Sequence, residues 1–493
     1  MSDMGLATRG AWRLKSDASR VVSRLFIPGQ ELVGGSESRA SGAVERILAL
    51  SEVEVEHGMD DLIRRFDRRH HNLTGVFETN AQRVSDYVTA PISERRNQLL
   101  GAAFTHEYAI EGAAICNPSI VAAPDQTGAR SGELRVILSY RAIGEGHRSS
   151  IVFRSGTVGA SGELALDAAQ PFPVAPPAST TTLNRELLHS MLCDRGVDGE
   201  TAASVLDSLA DDFEPAALSL ATDRLRTQSD TRVNATEVAA VLDLLAASFY
   251  RVAFDPEIDL SRRVLWPSAP NEAVGMEDAR FVHFSDGDTS TYLASYTAFD
   301  GRAVSQQLLQ TNDFVHFTSS PLAGAGARNK GLAFFPRKVN GQYLALSRFD
   351  RETNAIAQSA NGLHWEPVVT AQRPLGTWEI LQLGNCGSPI ELTAGWLVII
   401  HGVGPMRTYG IGALLLDLDD PTKVIGQLPR PLLIPADDEQ DGYVPNVVYS
   451  CGSIVHDDTL YLPYGIADQS IGYATFEIDE LLGAFEPTSR RSA

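Results

Sequence analysis

Cysteine is scarce in this chain: Cys116, Cys193, Cys386 and Cys451 are the four in 493 residues, and all are widely separated. That spacing fits neither a disulfide framework nor a CxxC metal knuckle. Long apolar runs are missing too. The longest, around Trp396–Ile400, is strand-sized, whereas a membrane-spanning helix needs roughly 18 residues. The opening MSDMGLATRGAW has no apolar h-region of the kind that marks a secretory signal, so the sequence reads as a cytoplasmic protein. Positive charge is outnumbered, with 41 Lys and Arg against 62 Asp and Glu for a net −21. Such a surplus repels phosphate backbones and anionic lipid, which argues against nucleic-acid and membrane partners. What the chain does have is apolar residues, 43% of the total, enough for a large core and too many for a disordered chain.

A repeat organises those apolar residues. Ser131–Ala142, Gly287–Gly301, Asn340–Asp350, Ala394–Gly404 and Asp457–Asp468 each run from a turn into an apolar strand that ends in Tyr, Ser, His or Arg. Each follows a polar, strand-breaking segment expected to be a loop: CNPSIV, MEDARFVHF, KGLAFFPRK, NCGSPIEL and VPNVVYSCG. The last four of these recur at Glu277, Gly331, Asn385 and Val444, spaced 54, 54 and 59 residues apart. A strand-rich unit recurring at about 40–50 residues or slightly more predicts an all-β core folded as a five-bladed β-propeller. An ordinary β-sandwich with coincidental spacing is the alternative.

The repeat is interrupted once. Between Asn117 and Glu277 lie 160 residues holding only one blade-like unit. The proline-rich PFPVAPPAS is followed there by helical periodicity in Arg185–Gly196, Glu200–Phe213 and Asn234–Tyr250, with Asn234 and Glu237 resembling a capping box. The expected organisation is an N-terminal, mostly helical segment over 1–98, a first blade over 99–178, a helical insertion over 179–255 and the remaining blades over 256–493. The N-terminal RRFDRRHH run reads as a solvated helix face. No second His or Cys pair completes a metal set there, and neither metal nor cofactor is expected.

In a propeller the repeated strand ends converge on a central channel, so Tyr140, Arg141, Tyr296, Ser347, Arg348, His401 and Tyr464 are expected to share one pocket. Rings, hydroxyls and guanidinium groups there suit a sugar. Carboxylates recur in the same segments, namely Glu277, Asp278, Glu391, Glu439, Asp441 and Asp468. Cleaving a glycosidic bond takes one acid to protonate the leaving oxygen, and either a base for water or another nucleophile.

The strings VGMEDARF, YTAFDG, NKGLAFFPRKVNG, GNCGSPIE, GWLVIIHGVGPMRTYGIGALLLDLDDPTKVIG and GYVPNVVYSCG closely resemble glycoside hydrolase family 130. That family contains mannoside phosphorylases and β-1,2-mannosidases on a five-bladed propeller. The resemblance implies a mannose-containing oligosaccharide as substrate and Asp278 as proton donor, with Ala279 replacing a common Pro. It also implies substrate contacts from Asn117 and Arg141, and more weakly from Arg348 and Asp468; Arg280 beside Asp278, with Tyr296, Lys330, His401, Arg407 and Tyr443, completes the expected substrate-binding set. Glu391 stands where the family's phosphorylases carry a lysine that helps to bind phosphate. A carboxylate about 4 Å from an anion repels it by roughly 4 kcal/mol per unit charge at an effective dielectric near 20, and a carboxylate beside water serves as a base. The expectation is therefore inverting hydrolysis of β-1,2-mannosides, with Glu391 as base and Glu439 or Asp441 able to share that role. Phosphorolysis with inorganic phosphate, giving mannose 1-phosphate, is the second reading, and a non-catalytic sugar-binding propeller the third. The sequence leaves room for a homo-oligomer.

Overall fold

Side chains alternate across a strand, and here most strands bury both faces. In Phe281-Val282 and Phe334-Phe335, neighbouring residues belong to different cores on the two sides of their sheet. Sheets packed on both faces read as continuous apolar runs, which is why WLVII is strand-sized and unbroken.

The computed structural model of the chain describes residues 2–27, 39–88, 90–159, 162–227 and 234–487. It is mostly β and divides into two compact units. No helix among the described residues is long and apolar enough to cross a membrane. The larger unit, residues 1–16, 113–169 and 176–493, contains five antiparallel meanders in chain order. The first is Ala114–Ala122, Glu133–Ile143 and Ser149–Gly159, edged by Leu164–Leu166. The second is Gly275–Asp286, Thr289–Phe299, Val304–Thr311 and His316–Pro321. Ala333–Phe334, Tyr343–Ser347, Asn354–Ser359 and Glu366–Gln372 form the third. The fourth is Gln382–Asn385, Gly395–Val403, Tyr409–Leu416 and Val424–Gln427. The fifth is Val448–Tyr449, Thr459–Ile466 and Ser470–Glu477, and its outer edge is completed by Thr8–Arg9 and Leu14–Lys15 from the chain start.

Each meander is hydrogen-bonded to the next. Phe281 N of the second donates to Ser119 Oγ of the first at 3.2 Å. Ser295 Oγ donates to Leu332 O, joining second to third, and Asn385 Nδ2 donates to Gly331 O, joining third to fourth. Tyr409 N reaches Asn446 O at 3.0 Å between fourth and fifth, and Cys451 N returns to Pro118 O of the first at 2.8 Å. The succession is therefore a cycle. Apolar wedges fill the spaces between adjacent sheets, such as Phe153, Phe281, Phe314 and Phe317 between the first and second.

Two of the segments expected to be loops, CNPSIV and MEDARFVHF, lie within the first strands of their meanders, the other three flank or include the short first strands Ala333–Phe334, Gln382–Asn385 and Val448–Tyr449, and each carries a kink. Asn117, Asp278, Gly331, Gly387 and Asn446 have φ of 51°, 54°, 87°, 119° and 62°. Bulges interrupt the ladder between Cys116 and Ser119 and between Glu277 and Arg280. An extra residue in a bulge takes a left-handed conformation that Asn, Asp and Gly tolerate best, so the residues that look strand-breaking instead redirect the strand.

The insertion forms helices Arg185–Asp194, Glu200–Leu206, Pro215–Thr227 and Ala235–Ala246, closed around their own core of Leu187, Leu188, Leu218, Val238 and Leu242. Residues 228–233 of the expected insertion lie outside the described residues. Asn234 precedes the last helix at φ 60° without a side-chain cap bond, so the expected capping box does not form. The smaller unit comprises residues 17–112 and 170–175. It pairs Val21–Leu25 with Thr105–Ala109 beside four helices. Within the segment expected to be mostly helical, helix Leu73–Gln82 ends before a stretch containing Pro91, and the next helix is Glu94–Ala103. Thr8–Arg9 and Leu14–Lys15, within the segment expected to be mostly helical, instead pair with the fifth meander, a pairing of distant strands that local periodicity does not reveal.

Ser119→Ala removes the acceptor of a buried amide and is expected to cost about 1–3 kcal/mol. Urea denaturation should show a lower midpoint at unchanged slope, and an unchanged midpoint would contradict the linking role given to this bond.

Candidate active site

The strand kinks and the hairpins between second and third strands converge on one cavity of about 580 Å³. The kinks supply Asn117, Glu277 and Asp278, with Lys330 beside Gly331. The hairpins supply His147, Arg351, Arg407 and Asp468. All four sit at positive φ, of 61°, 73°, 55° and 49° respectively. The hairpins GEGHR and GPMRT make the same turn, in which Arg148 N returns to Glu145 O and Thr408 N to Pro405 O. Non-glycine residues held in this region are strained, and such strain collects where side chains must be aimed.

Charge in the cavity is unevenly matched. Glu277, 6% exposed, accepts from Arg141 Nη2 at 2.8 Å and Lys330 Nζ at 2.9 Å. Burial works most strongly against the Arg141 charge, but Glu277, Cys116, Asp278 and Asp468 together outweigh it and hold the guanidinium above its ordinary range. Behind Asp278, the buried Arg280 donates from Nη1 to the Asp278 carbonyl at 2.7 Å, from Nε to Asn385 Oδ1 at 3.2 Å and from Nη2 to Tyr449 OH at 2.8 Å. Its Nη2 also lies 3.8 Å from Asp278 Oδ2. Arg348, Arg351 and Arg407 have no carboxylate within ion-pair distance among the described residues. Arg348 Nη2 donates to Arg351 O, Arg351 Nε donates to Asn329 Oδ1, and the buried Arg348 Nε has no partner among the described residues.

His401 is fully buried, and burial followed by Arg348 and Arg280 pushes its pKa well down, so the ring is neutral at pH 7. Its Nδ1 lies 3.2 Å from Asn385 O. A carbonyl only accepts, which assigns the proton to Nδ1 and the lone pair to Nε2. Gly384 makes room for this arrangement, since a Cβ there would sit 2.3 Å from Arg348 Cδ and 2.7 Å from His401 Cε1. At the mouth, Tyr443 stacks on His147 with centroids 5.5 Å apart and shares a 2.6 Å hydrogen bond between its OH and His147 Nδ1. Burial, eased by Arg141 and reinforced by Asp278, pushes the Asp468 carboxyl up to about 6.

The cavity brings together Asn117, Arg141, Asp278, Lys330, Arg348, His401, Arg407, Tyr443 and Asp468 from the sequence-based expectations. It does not include Glu391. That residue is six positions past Asn385 and sits opposite Trp396 where Asn385 sits opposite Ile400, roughly 14 Å further along the sheet, and it pairs with Arg337 at 2.6 and 2.8 Å. Arg337 in turn lies over the Trp396 ring, and Glu391 and Arg337 line a separate groove of about 450 Å³. A base at Glu391 is thereby removed from this site. Glu439 is 1% exposed and already engaged: it accepts from Ala436 N and Tyr464 OH and faces Arg9 and Arg13. Asp441 is exposed and outside the cavity wall. Tyr296 is buried among Glu272, Tyr250 and Ser319, and Arg280 stands behind Asp278 without lining the cavity. Of the other expected pocket residues, Tyr140 is packed in the core and Ser347 Oγ is bound to Gly326 O. His147 and Arg351 went unrecognised in the sequence, although the likeness of GEGHR to GPMRT was available to find the first.

The family model described as β-1,4-mannooligosaccharide phosphorylase matches residues 256–486, which span the second to fifth meanders. The 1,2-β-oligomannan phosphorylase of Thermoanaerobacter sp. (strain X514) is 36% identical over 233 residues, 45% of this chain and 75% of that protein. The β-1,2-mannobiose phosphorylase of Listeria innocua is 34% identical over 232 residues, 45% of this chain and 63% of that protein. The solved structure of a Listeria innocua β-1,2-mannobiose phosphorylase with β-1,2-mannobiose aligns over 76% of this chain and 92% of its own at 23% identity, with a TM-score of 0.44.

Two measurements check this geometry. Because the folded Asp468 carboxyl titrates at about 6 and an unfolded Asp near 3.9, the folded state binds this proton more tightly. The Asp468 contribution to stability is then largest below about pH 4 and declines as pH rises to about 6. Carboxyl NMR should show a midpoint near 6 that Asp468→Asn removes together with that decline; a midpoint near 4 contradicts the assignment. Glu439→Ala should cost about 3 kcal/mol by leaving buried partners unmet, and Glu391→Ala less than about 1 kcal/mol, as for a solvent-exposed pair. Equal losses in urea denaturation would contradict the placement of these two carboxylates.

Proposed function

Because the chain belongs to glycoside hydrolase family 130, we propose that it is a β-mannoside phosphorylase acting on β-1,2-linked manno-oligosaccharides, with its five meanders arranged as the blades of a propeller. The cyclic hydrogen bonding between successive meanders supports that arrangement. The observation that carries the activity is the set of arginines, Arg348, Arg351 and Arg407, that have no carboxylate within ion-pair distance among the described residues and lie in the same cavity as Asp278. A phosphate dianion needs cationic donors in planar, forked geometry, which guanidinium groups supply. At an effective dielectric near 20, each unit charge pair at 4 Å contributes roughly 4 kcal/mol of attraction. Neutral His401 offers a hydrogen-bonding partner without a further charge.

In this reading a phosphate oxygen attacks the anomeric carbon from the face opposite the leaving group. The glycosidic bond breaks with inversion, and Asp278 supplies the leaving oxygen with its proton, directly or through a substrate hydroxyl. A β-mannoside and phosphate become α-mannose 1-phosphate and the shortened sugar. Phosphate brings its own negative charge and needs no protein base, which agrees with a cavity where Glu277 is neutralised by Arg141 and Lys330. Hydrolysis is the second reading. With Glu391 elsewhere it rests on Asp468, whose carboxyl near 6 could take a proton from water.

Incubating β-1,2-mannobiose with and without phosphate distinguishes the two. Phosphorolysis predicts turnover only with phosphate and a sugar-phosphate signal by ³¹P NMR; equal turnover without phosphate, giving free mannose alone, contradicts it in favour of Asp468 and water. Asp278→Asn should lower kcat by about 10²–10⁴-fold. Arg348→Ala should raise the KM for phosphate by about tenfold or more, consistent with losing a charged hydrogen bond. Glu391→Gln should stay within about twofold of the parent, and a large loss there would restore the carboxylate excluded above.

A further inference from the structure

We propose that the groove between the second and third meanders, at the strand ends far from Asp278, is a separate, non-catalytic binding site for a neutral saccharide. The groove measures about 390 Å³, within the range of small-molecule sites. It shares no lining residue with the Asp278 cavity. Phe284 in its wall lies four residues past Arg280 on the strand Gly275–Asp286, roughly 13 Å further from the kink that aims Asp278.

Strand alternation builds the lining. Thr291 and Leu293 of the strand Thr289–Phe299 share a face with Leu308 and Gln310 of Val304–Thr311, because Leu293 sits directly opposite Gln310 and every second residue points the same way. Asn312 continues that row just past the strand end. The floor is apolar: Leu293, Leu308 and Phe334 belong to the core between the two meanders, and Phe284 stacks on Tyr343 with centroids 5.2 Å apart.

The rim is polar and open to a ligand, since Gln310, Asn312 and Asn361 are all exposed. The side chains of Gln310 and Asn312 make no hydrogen bond among the described residues. Asn361 Oδ1 accepts from Leu363 N at 2.9 Å, His364 N at 3.0 Å and Ser359 Oγ at 3.1 Å. Those three bonds fix the amide in one orientation and leave Nδ2 as a preset donor. Thr291 Oγ1 donates to Thr311 O at 3.2 Å and keeps its lone pairs for an incoming hydroxyl. Asp286, the charged residue of this wall, is taken up by Lys338 at 2.7 Å. Amides and hydroxyls above an apolar floor match a sugar, whose C–H face is apolar and whose hydroxyls both donate and accept. A phosphate-bearing ligand would need the guanidinium groups that line the Asp278 cavity and are missing from this lining.

The identity of the sugar rests on the mannoside reading. Calorimetry with β-1,2-mannotetraose in the absence of phosphate should give two molecules bound per chain, and crystals of the parent soaked in it should show sugar in this groove as well as beside Asp278. Gln310→Ala combined with Asn312→Ala, both at exposed positions, should lower the stoichiometry to one while kcat and KM for β-1,2-mannobiose stay within about twofold of the parent. The soak uses the parent alone, so it decides the matter even if the double variant does not fold. One molecule per chain with sugar only beside Asp278, or two that the double variant leaves unchanged, overturns this groove as a sugar site while turnover of mannobiose keeps the mannoside reading. Absence of both binding and turnover of these sugars overturns the two together.

Discussion

The guanidinium of Arg280 is the interaction on which the rest of the site depends. It is 1% exposed, and it ties the carbonyl of Asp278 in the second meander to Asn385 in the fourth and Tyr449 in the fifth. Burial opposes its charge, but the surrounding Tyr449, Cys451 and Asp278 hold it ionised. Such a cation is tolerable only when its donors are met, and removing one partner of a buried charged group typically costs about 3–5 kcal/mol. Asn385 carries the link onward to Gly331 of the third meander. The same contacts hold Asp278 at its φ of 54°, so the strain that aims this carboxylate is borne by the junction of several sheets.

Around that junction, charge is arranged locally against the trend of the whole molecule. The chain carries a net −21, yet two cations in the cavity are committed to Glu277 and three guanidinium groups have no carboxylate within ion-pair distance among the described residues. Distant surface carboxylates are screened beyond about 8 Å at physiological ionic strength. The near field of Arg348, Arg351 and Arg407 therefore decides whether a small anion binds. Net charge argues against extended polyanions and says little about a single phosphate.

How much of this is legible in the sequence differs residue by residue. The repeat is readable because turn residues, apolar strands and polar termini recur in order, and Arg141, Arg348 and His401 follow from it. Asn117 and Asp278 are readable as site residues, but their strands look like loops because a left-handed kink selects the residue types that turns select. Glu391 misleads for a geometric reason: it shares a motif with Asn385, but beyond the Gly387 kink it belongs to the next strand, Ile390–Leu392, away from the cavity. Glu439 and Tyr296 mislead because polar residues in the repeat also satisfy one another in the interior.

The most direct test of the central claim is to locate the anion. Crystals soaked with inorganic phosphate should show one phosphate in the cavity of Asp278, within hydrogen-bonding distance of Arg348 and Arg407. Phosphate held beside Arg337 and Glu391 instead, or a cavity free of anion at phosphate concentrations where mannobiose is turned over, would contradict the account.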